Sequence, residues 1–360
     1  MLQWDEKRNW ERLDPSGMRT LIESFPDQLH DAARMASALS LTPPPAVENI
    51  VVAGLGGSAI GGDVIRSAFG SRLKVPLIVS RDYRLPGFVG PRSVVIASSY
   101  SGNTEETIES YREARQTGAH IVCIASGGML ASLAEADGKP LIRIPGGLPP
   151  RAALGYSSIS LLGCLTALGQ MDDKGGMAVD ETVSQLRRLC KRYATGNPEC
   201  RNPAKKLARS LKGTIPAIYA AAGLLEAAAV RWRGQFEENA KNLAFHHLLP
   251  EMNHNELVGW DCPAPSLRRL SVVLLRDHEE HPQVRRRFAL SLPILERRSA
   301  VVRQVRSQGE SRLTRLFSVI YFGDFVSLYL AALNGVDPTP VAVIEGLKAR
   351  LVRKAAPRAD

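Results

Sequence analysis

The fold is decided by the stretch NIVVAGLGGSAIGGD, which occupies residues 49–63. Its first five residues form a β-branched run that predicts a buried strand. The glycines that follow let the backbone turn sharply into a helix, whose first N–H groups form a ready anion site. A strand that leads through a glycine turn into a helix is typical of a parallel α/β sheet. Tight packing of strand against helix, without a ligand, is the alternative interpretation of these glycines.

The same alternation of strand and helix continues along the chain. Apolar runs predict further strands at 76–80, 93–98, 120–125 and 141–145, and then at 214–219, 270–275 and 300–305. Strong helical patterns follow at 311–333 and 340–353. We therefore predict an α/β fold with two doubly wound parallel-sheet domains, helices on both faces and a C-terminal helical segment. The expected divisions are an N-terminal helical segment 1–45, a first α/β domain 46–175, a helical Arg-rich connector 176–212, a second α/β domain 213–335 and a C-terminal helix 336–360 that closes the active site.

A second polar loop follows the predicted strand 93–98. Its sequence SSYSGNTEET, residues 98–107, offers several small hydroxyl groups at the carboxyl end of a strand. Such hydroxyls and the backbone N–H groups beside them can hold a phosphate. Asn103 and Glu106 have the spacing of a capping box, and Gly118 marks the end of the helix. Capping by itself would explain one or two of these hydroxyls.

Composition excludes several classes of protein. The chain has 360 residues, of which 44% are hydrophobic and 23% charged, a balance typical of a soluble globular protein. The uncharged run 152–171 predicts a buried helix rather than a membrane span. Five cysteines without paired spacing argue against a disulfide framework or a zinc ribbon. Because the N-terminus resembles no secretory signal, we expect a cytoplasmic protein.

The net charge of +10 invites anionic partners. The basic residues are scattered or paired, as in the stretches 187–192 and 285–287, and only 6% of residues are aromatic. No motif that reads DNA or RNA occurs. We therefore expect no nucleic-acid partner and no membrane partner, and a mostly solvated basic surface.

The motifs together resemble the SIS (sugar isomerase) domains. The serine loop 99–107 is similar to their phosphosugar-binding loop. The glycine run 54–63, with Pro150, Arg151 and the segment 154–156, is similar to the bifunctional phosphoglucose/phosphomannose isomerases of archaea and some bacteria. The similarity continues through ENAK (238–241), PEMNHNE (250–256) and DPTP (337–340), so that it spans about residues 48 to 350.

The resemblance implies two SIS domains with the active site between them, usually in a homodimer, and neither a metal nor another cofactor. It implies the catalytic residues Glu238 as base, His254 for ring opening and Lys348 near the sugar oxygens. In the family this histidine comes from the neighbouring subunit. The residues expected to bind the substrate phosphate are Gly56, Gly57, Ser58, Ser99, Ser101, Thr104 and Arg151.

The residues themselves leave alternatives open. By spacing alone, Glu238 is an ordinary glutamate on a surface helix. His254 follows Asn253 in an Asn-x-x-Glu capping pattern that predicts a short helix, and His246, His247 and Glu251 would permit a metal site with it. Lys348 lies on an apolar stripe with Ile344 and Leu351, where its amine either meets a ligand or extends to solvent.

The expected activity is the interconversion of glucose 6-phosphate and fructose 6-phosphate, with mannose 6-phosphate as a further substrate, through an enediol intermediate. A carboxylate suits this reaction because one group can remove a proton and return it. Two alternatives come from other classes. The first is a sugar-phosphate-sensing SIS protein without catalysis. The second is an NAD-type oxidoreductase, since 54–59 also fits G-x-G-x-x-A, although Asp82 lies late for a ribose contact.

Overall fold

The computed structural model describes residue 4 and residues 7–172 and 175–354. Three helices of the described residues precede the first sheet: α1 (Lys7–Leu13), α2 (Met18–Glu23) and α3 (Phe25–Ser37). They are followed by a first α/β unit, two connecting helices and a second α/β unit.

The first sheet has five parallel strands in the order β2-β1-β3-β4-β5. Its strands are β1 (Asn49–Ala53), β2 (Leu77–Ser80), β3 (Ser93–Ser98), β4 (His120–Ala125) and β5 (Leu141–Arg143). Its helices are α4 (Gly56–Phe69), α5 (Glu105–Thr117), α6 (Gly128–Ala136) and α7 (Leu154–Ala167). All five predicted strands are present. Every residue of β3 is buried, which explains its continuous apolar run.

The second sheet has four parallel strands in the order β7-β6-β8-β9. Its strands are β6 (Ile215–Ala221), β7 (Phe245–Leu249), β8 (Leu270–Arg276) and β9 (Val301–Arg306). Its helices are α10 (Glu226–Glu238), α11 (Glu256–Gly259), α12 (Ala264–Leu267), α13 (Pro282–Arg298), α14 (Arg312–Asn334) and α15 (Ala342–Lys354). Strand β7 was not expected. Its sequence FHHLL has one fully buried residue, and an edge strand of this kind carries neither clear alternation nor an apolar run.

Helices cover both faces of each sheet, as predicted. The largest apolar cluster lies between the sheets and includes Val64 of α4, Trp232 of α10 and Phe325 of α14. Separate clusters cover the outer faces, one around Tyr111 and one around Trp260. The two units are therefore joined by a shared core.

The connecting helices belong to this core. Helices α8 (Gly175–Tyr193) and α9 (Pro203–Leu211) bury apolar side chains against it, including Leu186 and Leu211. They pack against α14. The Arg-rich character of α8 is confined to its solvent side, and its other side is part of the core.

One helix among the described residues, α14, is long and apolar enough to cross a membrane by length and composition. Within the fold, 94% of its apolar window is buried. It is the central core helix. The run 152–171 contains the buried helix α7, as expected.

Candidate active site

Two loops meet at the carboxyl edge of the first sheet, between β1 and β3. The strand order reverses at this position, and such a switch point is where parallel α/β sheets bind ligands. Helix α4 begins within the glycine run, at Gly56, whose φ of +52° suits a residue without Cβ. A Cβ on Gly54 would lie 2.7 Å from the Ser98 carbonyl oxygen, so glycine also permits close approach of the two loops.

The serine loop is held in shape by its own hydroxyl groups. Ser99 is fully buried, and its Oγ lies 2.8 Å from Thr104 Oγ1. Ser101 is exposed, and its Oγ accepts a hydrogen bond from the Asn103 N–H at 3.2 Å. Gly102 has a φ of +70°, and a Cβ there would overlap the Gly127 carbonyl oxygen. Ser101 therefore faces outward, Thr104 is half-buried, and Ser99 supports the loop from beneath.

The predicted capping box is wrong. Helix α5 begins at Glu105 with Thr104 before it, and no side chain caps it. Asn103 instead accepts a hydrogen bond through its Oδ1 from the Met129 N–H, at 3.0 Å. This bond ties the serine loop to α6, a tertiary contact that local spacing does not reveal. The helix ends where predicted, with Gly118 in the left-handed conformation.

Ser58 links the two loops. Its side chain is buried, and its Oγ accepts a hydrogen bond from the Tyr100 N–H at 3.0 Å. The hydroxyl hydrogen has no partner in this bond and can donate to a further acceptor. The cradle thus combines the first amides of α4, at Gly56 and Gly57, with the hydroxyls of the serine loop.

Arg151 connects this cradle to Glu238. A Cβ on Gly57 would lie 2.5 Å from the Pro150 carbonyl oxygen, so the glycine turn packs directly on the segment that carries Arg151. The Arg151 Nη1 donates to Glu238 Oε2 at 3.4 Å, and its Nε donates to Asn239 Oδ1 at 2.7 Å. Two residues that lie 87 positions apart in the sequence are thereby joined beside the phosphate loops.

The hydrogen bonds of the Arg151 side chain go to Glu238, Asn239 and the segment before α15, and its predicted phosphate-binding role stays a prediction. It is 4% exposed, and its Nη2 donates to the carbonyl oxygens of Pro338 and Thr339 at 2.7 and 2.8 Å. Burial lowers the pKa of Arg151, and the positive charge of Arg231 lowers it too, whereas Glu238 acts in the opposite direction. Its charge thus lies against Glu238 and the segment before α15.

Three further residues that contact Arg151 or Glu238, directly or through one another, were not predicted from the sequence. Lys241 lies beside Glu238, with its Nζ donating to the Glu238 carbonyl oxygen at 2.7 Å; burial and the charge of Arg151 lower its pKa. Asp324 accepts hydrogen bonds from Arg231 Nε and Nη2 at 3.2 and 3.1 Å. Arg231 in turn donates to the Arg151 carbonyl oxygen at 2.7 Å. Asp324 is the only acidic residue in α14, and a single carboxylate within an apolar stretch of helix is a signal that the sequence offers.

His254 lies away from Glu238 in the single chain. It ends a 3₁₀ turn, Glu251–His254, and it is exposed. Its neighbours Met252 and Trp260 pack on the outer face of the second sheet, whereas α10, which ends at Glu238, packs on the inner face. The fold therefore separates the two residues by the sheet itself.

The predicted capping box at Asn253 is also wrong. Asn253 Nδ2 donates to Ser291 Oγ at 2.9 Å, and the short helix α11 is capped instead by Asn255 Oδ1, which accepts from the Glu256 N–H. The Glu256 carboxylate accepts a hydrogen bond from the Tyr219 hydroxyl and lies 2.7 Å from His247 Nδ1. These contacts anchor the segment that carries His254.

Lys348 is not enclosed. Helix α15 forms close to the predicted bounds, but its apolar stripe, expected to face inward, is uncovered. Ile344, Leu347 and Leu351 are 42, 59 and 52% exposed. Within the described part of the chain, neither Lys348 nor His254 makes a side-chain hydrogen bond or ion pair. The expectation that this helix closes the site is not met within one chain.

Among the residues that the structure describes, the second sheet offers no loops comparable to the glycine and serine loops of the first. Its switch point lies between β6 and β8, where the loop after β8 carries Asp277, Glu279 and Glu280. Buried arginines pair with these carboxylates, as Arg315 Nε does with Asp277 Oδ2 at 3.0 Å. The arginines at this edge are thus engaged by carboxylates rather than directed at a phosphate. The candidate site for the substrate phosphate therefore lies in the first unit.

A metal site is not formed by the histidines near residue 250. Among the residues that the structure describes, no group of three or more His, Cys, Asp or Glu side chains is arranged to hold a metal ion. His247 contacts Glu256, and His254 is exposed.

Comparison with known proteins agrees with this architecture. Residues 46–137 match the SIS domain family model, and residues 200–351 match the model of the bacterial phospho-glucose isomerase C-terminal SIS domain. Two solved structures from Thermus thermophilus share the fold. A hypothetical protein has a TM-score of 0.73 at 17% identity, covering 96% of this chain and 92% of that one. A glucose-6-phosphate isomerase like protein has a TM-score of 0.62 at 21% identity, covering 96% and 100%.

Curated relatives are more similar in sequence. The bifunctional phosphoglucose/phosphomannose isomerase of Caldicellulosiruptor bescii is 43% identical over 331 residues, covering 92% of this chain and 97% of that protein. Its counterpart in Aquifex aeolicus is 36% identical over 320 residues, covering 88% and 94%. The chain therefore belongs to the family of bifunctional phosphoglucose/phosphomannose isomerases.

Proposed function

We propose that this protein interconverts glucose 6-phosphate, fructose 6-phosphate and mannose 6-phosphate in the cytoplasm. The observation that carries the proposal is the junction of Gly57, Arg151 and Glu238, which sets a carboxylate and a guanidinium beside a phosphate cradle. Aldose–ketose isomerisation needs these three groups together: an anchor for the phosphate, a base for the C1 and C2 protons, and a positive charge near the developing oxyanion.

The phosphate is held by the amides of Gly56 and Gly57 and by the hydroxyls of Ser58, Ser101 and Thr104. Helix α4 contributes its positive N-terminal end, which favours a dianionic group. Ser99 acts through Thr104, whose hydroxyl it orients at 2.8 Å. Neutral donors suffice here because several convergent hydrogen bonds replace the hydration of the phosphate.

Glu238 removes the C2 proton of the open-chain aldose and delivers it to C1. Protonation of the shared enediolate at C2 from one face gives glucose 6-phosphate, and from the other face mannose 6-phosphate. Arg151 holds the carboxylate and, with Lys241, supplies positive charge near the sugar oxygens. None of these steps requires a metal or a nucleotide.

His254 and Lys348 act from across a homodimer interface. The second sheet lies between His254 and Glu238 within one chain, so ring opening by His254 requires a second copy. Two apolar surfaces are available for that contact. One is the stripe of α15, and the other surrounds β7, where Phe245 and Val258 are exposed. Burial of such surfaces favours a stable dimer.

Five free cysteines agree with a reducing compartment: Cys123, Cys164, Cys190, Cys200 and Cys262 form no disulfide.

The activity is tested with purified protein in EDTA and without added nucleotide. Fructose 6-phosphate should be converted to glucose 6-phosphate and to mannose 6-phosphate. Glu238→Gln should lower kcat by about 10²- to 10⁴-fold, the contribution of a general base. Glu237→Gln, a change of the adjacent glutamate, is the matched control. If the wild-type protein bound fructose 6-phosphate without converting it, the result would favour the alternative of a sugar-phosphate-sensing SIS protein without catalysis.

Subunit mixing tests the shared site. Glu238→Gln and His254→Ala homodimers should each be inactive. After unfolding and refolding together, half of the dimers are mixed, and each mixed dimer has one intact site, so about a quarter of wild-type activity should return. If both residues acted within one chain, the mixture would remain inactive.

A further inference from the structure

A cavity of about 660 Å³ lies on the second unit, lined by residues of α8, α9, β9 and α14. Strand β9 is an edge strand. In the first sheet the matching fourth strand, β4, is followed by β5, but the second sheet has no fifth strand among the described residues. Residues 303–306 of β9 line the cavity, which therefore opens along this unpaired edge.

Four residues with cationic side chains line the cavity, and no acidic residue lines it within the described part of the chain: the four are Arg192, Lys206, Arg303 and Arg306. None of them forms an ion pair with another residue that the structure describes. By contrast Arg187, on the same helix as Arg192, pairs with Asp27 at 2.8 Å. A group of unpaired charges of one sign around a concavity attracts an anion.

Protection of the strand edge does not explain this arrangement. Basic side chains on an edge strand do discourage pairing with another chain. That role accounts for Arg303 and Arg306, but Arg192 and Lys206 project from helices. Cationic residues of three separate elements, α8, α9 and β9, therefore line one space.

The floor of the cavity is apolar and aromatic. Leu207, Tyr193 and Phe322 line it, and the two rings are in edge contact with centroids 5.0 Å apart. The volume falls within the range of about 300–1,000 Å³ that is typical of small-molecule sites. A ligand that matches both the apolar floor and the cationic residues of the cavity has an apolar ring system and several negative charges.

We propose that this cavity binds a nucleoside polyphosphate, with its phosphates on the four cations and its base on the aromatic floor. A sugar monophosphate, with about two negative charges, matches such a cluster less well than a triphosphate with about four. The cavity is separate from the phosphate cradle, which belongs to the first sheet. The substrate site therefore does not explain it.

The proposal is tested by calorimetric titration of the full-length protein with ATP and, separately, with inorganic triphosphate. ATP should bind, and it should bind more tightly than triphosphate. The double variant Arg303→Gln, Arg306→Gln should weaken ATP binding by about tenfold or more, as expected for the loss of two charge-assisted contacts. Lys206→Gln tests the helix side of the site independently.

The matched control is the double variant Arg286→Gln, Arg297→Gln, which removes two exposed charges from α13. It should change ATP affinity by less than about twofold. No ATP binding at millimolar concentration would overturn the proposal, and so would equal affinity in the Arg303, Arg306 variant and the wild type. Equal affinity for triphosphate and ATP would overturn the role of the base.

Discussion

Replacing Arg151 with methionine removes a buried guanidinium while keeping most of the side-chain volume. In the native protein its N–H groups donate to Asn239 Oδ1, to Glu238 Oε2 and to the carbonyl oxygens of Pro338 and Thr339, at distances between 2.7 and 3.4 Å. Methionine offers no donor to any of them.

The cost in the free energy of unfolding follows from the hydrogen-bond acceptors that lose Arg151 as their donor. The Pro338 carbonyl keeps a bond from Lys241 Nζ at 3.2 Å, and the Glu238 side chain is 35% exposed and regains water. Asn239 Oδ1 and the Thr339 carbonyl oxygen lose their donor, at about 1–3 kcal/mol for each buried unpaired acceptor. Part of this is offset because the guanidinium no longer has to be desolvated. We expect a loss of about 2–4 kcal/mol in the free energy of unfolding.

Catalysis should suffer as well, since the base loses its positioning contact and the oxyanion its nearby charge. We expect kcat to fall by about 10²-fold or more. Urea unfolding and initial rates measure the two effects, at equal protein concentration because dimer stability depends on it. Arg143→Met is the control: Arg143 pairs with Glu135 at the surface, and such pairs contribute about 1 kcal/mol or less.

A loss of less than about 1 kcal/mol in the Arg151 variant would refute the argument from unpaired acceptors. Arg151→Lys separates charge from geometry. Because lysine cannot form the same fork of hydrogen bonds, it should recover little of kcat. Full recovery would mean that the charge alone is required.

Two further predictions concern a loop and a pH dependence. Gly102→Ala should raise KM for the sugar phosphate about tenfold or more, because its Cβ would overlap the Gly127 carbonyl oxygen and displace the serine loop. Gly118→Ala shares the positive φ but has no contact closer than 3.5 Å, so it should cost only about 1 kcal/mol in stability and leave KM unchanged. Burial acts to raise the pKa of Glu181, but hydrogen bonds from backbone N–H groups just before α14 outweigh it, so that the pKa lies below its usual 4.5. The stability that Glu181 contributes is therefore present above pH 4.5 and lost as pH falls through the lowered pKa. Glu181→Gln should unfold more easily than the wild type in urea at about pH 6, and the difference should shrink on acidification, whereas the exposed Glu296→Gln should show no such trend.

The strands that carry the glycine and serine loops could be predicted from sequence because their signals are local. The runs 49–53 and 93–98 are buried on both faces, and both predicted strands are present. The loops that follow them lie together because parallel strands end at the same edge. Where local signals were weak, prediction failed. Strand β7 has no periodic pattern, and Asn103 is bonded to another helix rather than to its own.

By itself, the sequence determined the two α/β units, the glycine and serine loops, and the family. Only the tertiary structure decided how the groups meet. It joined Arg151 to Glu238, set His254 on the opposite face of the second sheet, and left the α15 stripe uncovered. The physical reason is the separation in sequence between the residues that interact. A strand or turn depends on neighbours a few positions away, whereas these contacts depend on how sheets and helices pack when their residues lie many tens of positions apart.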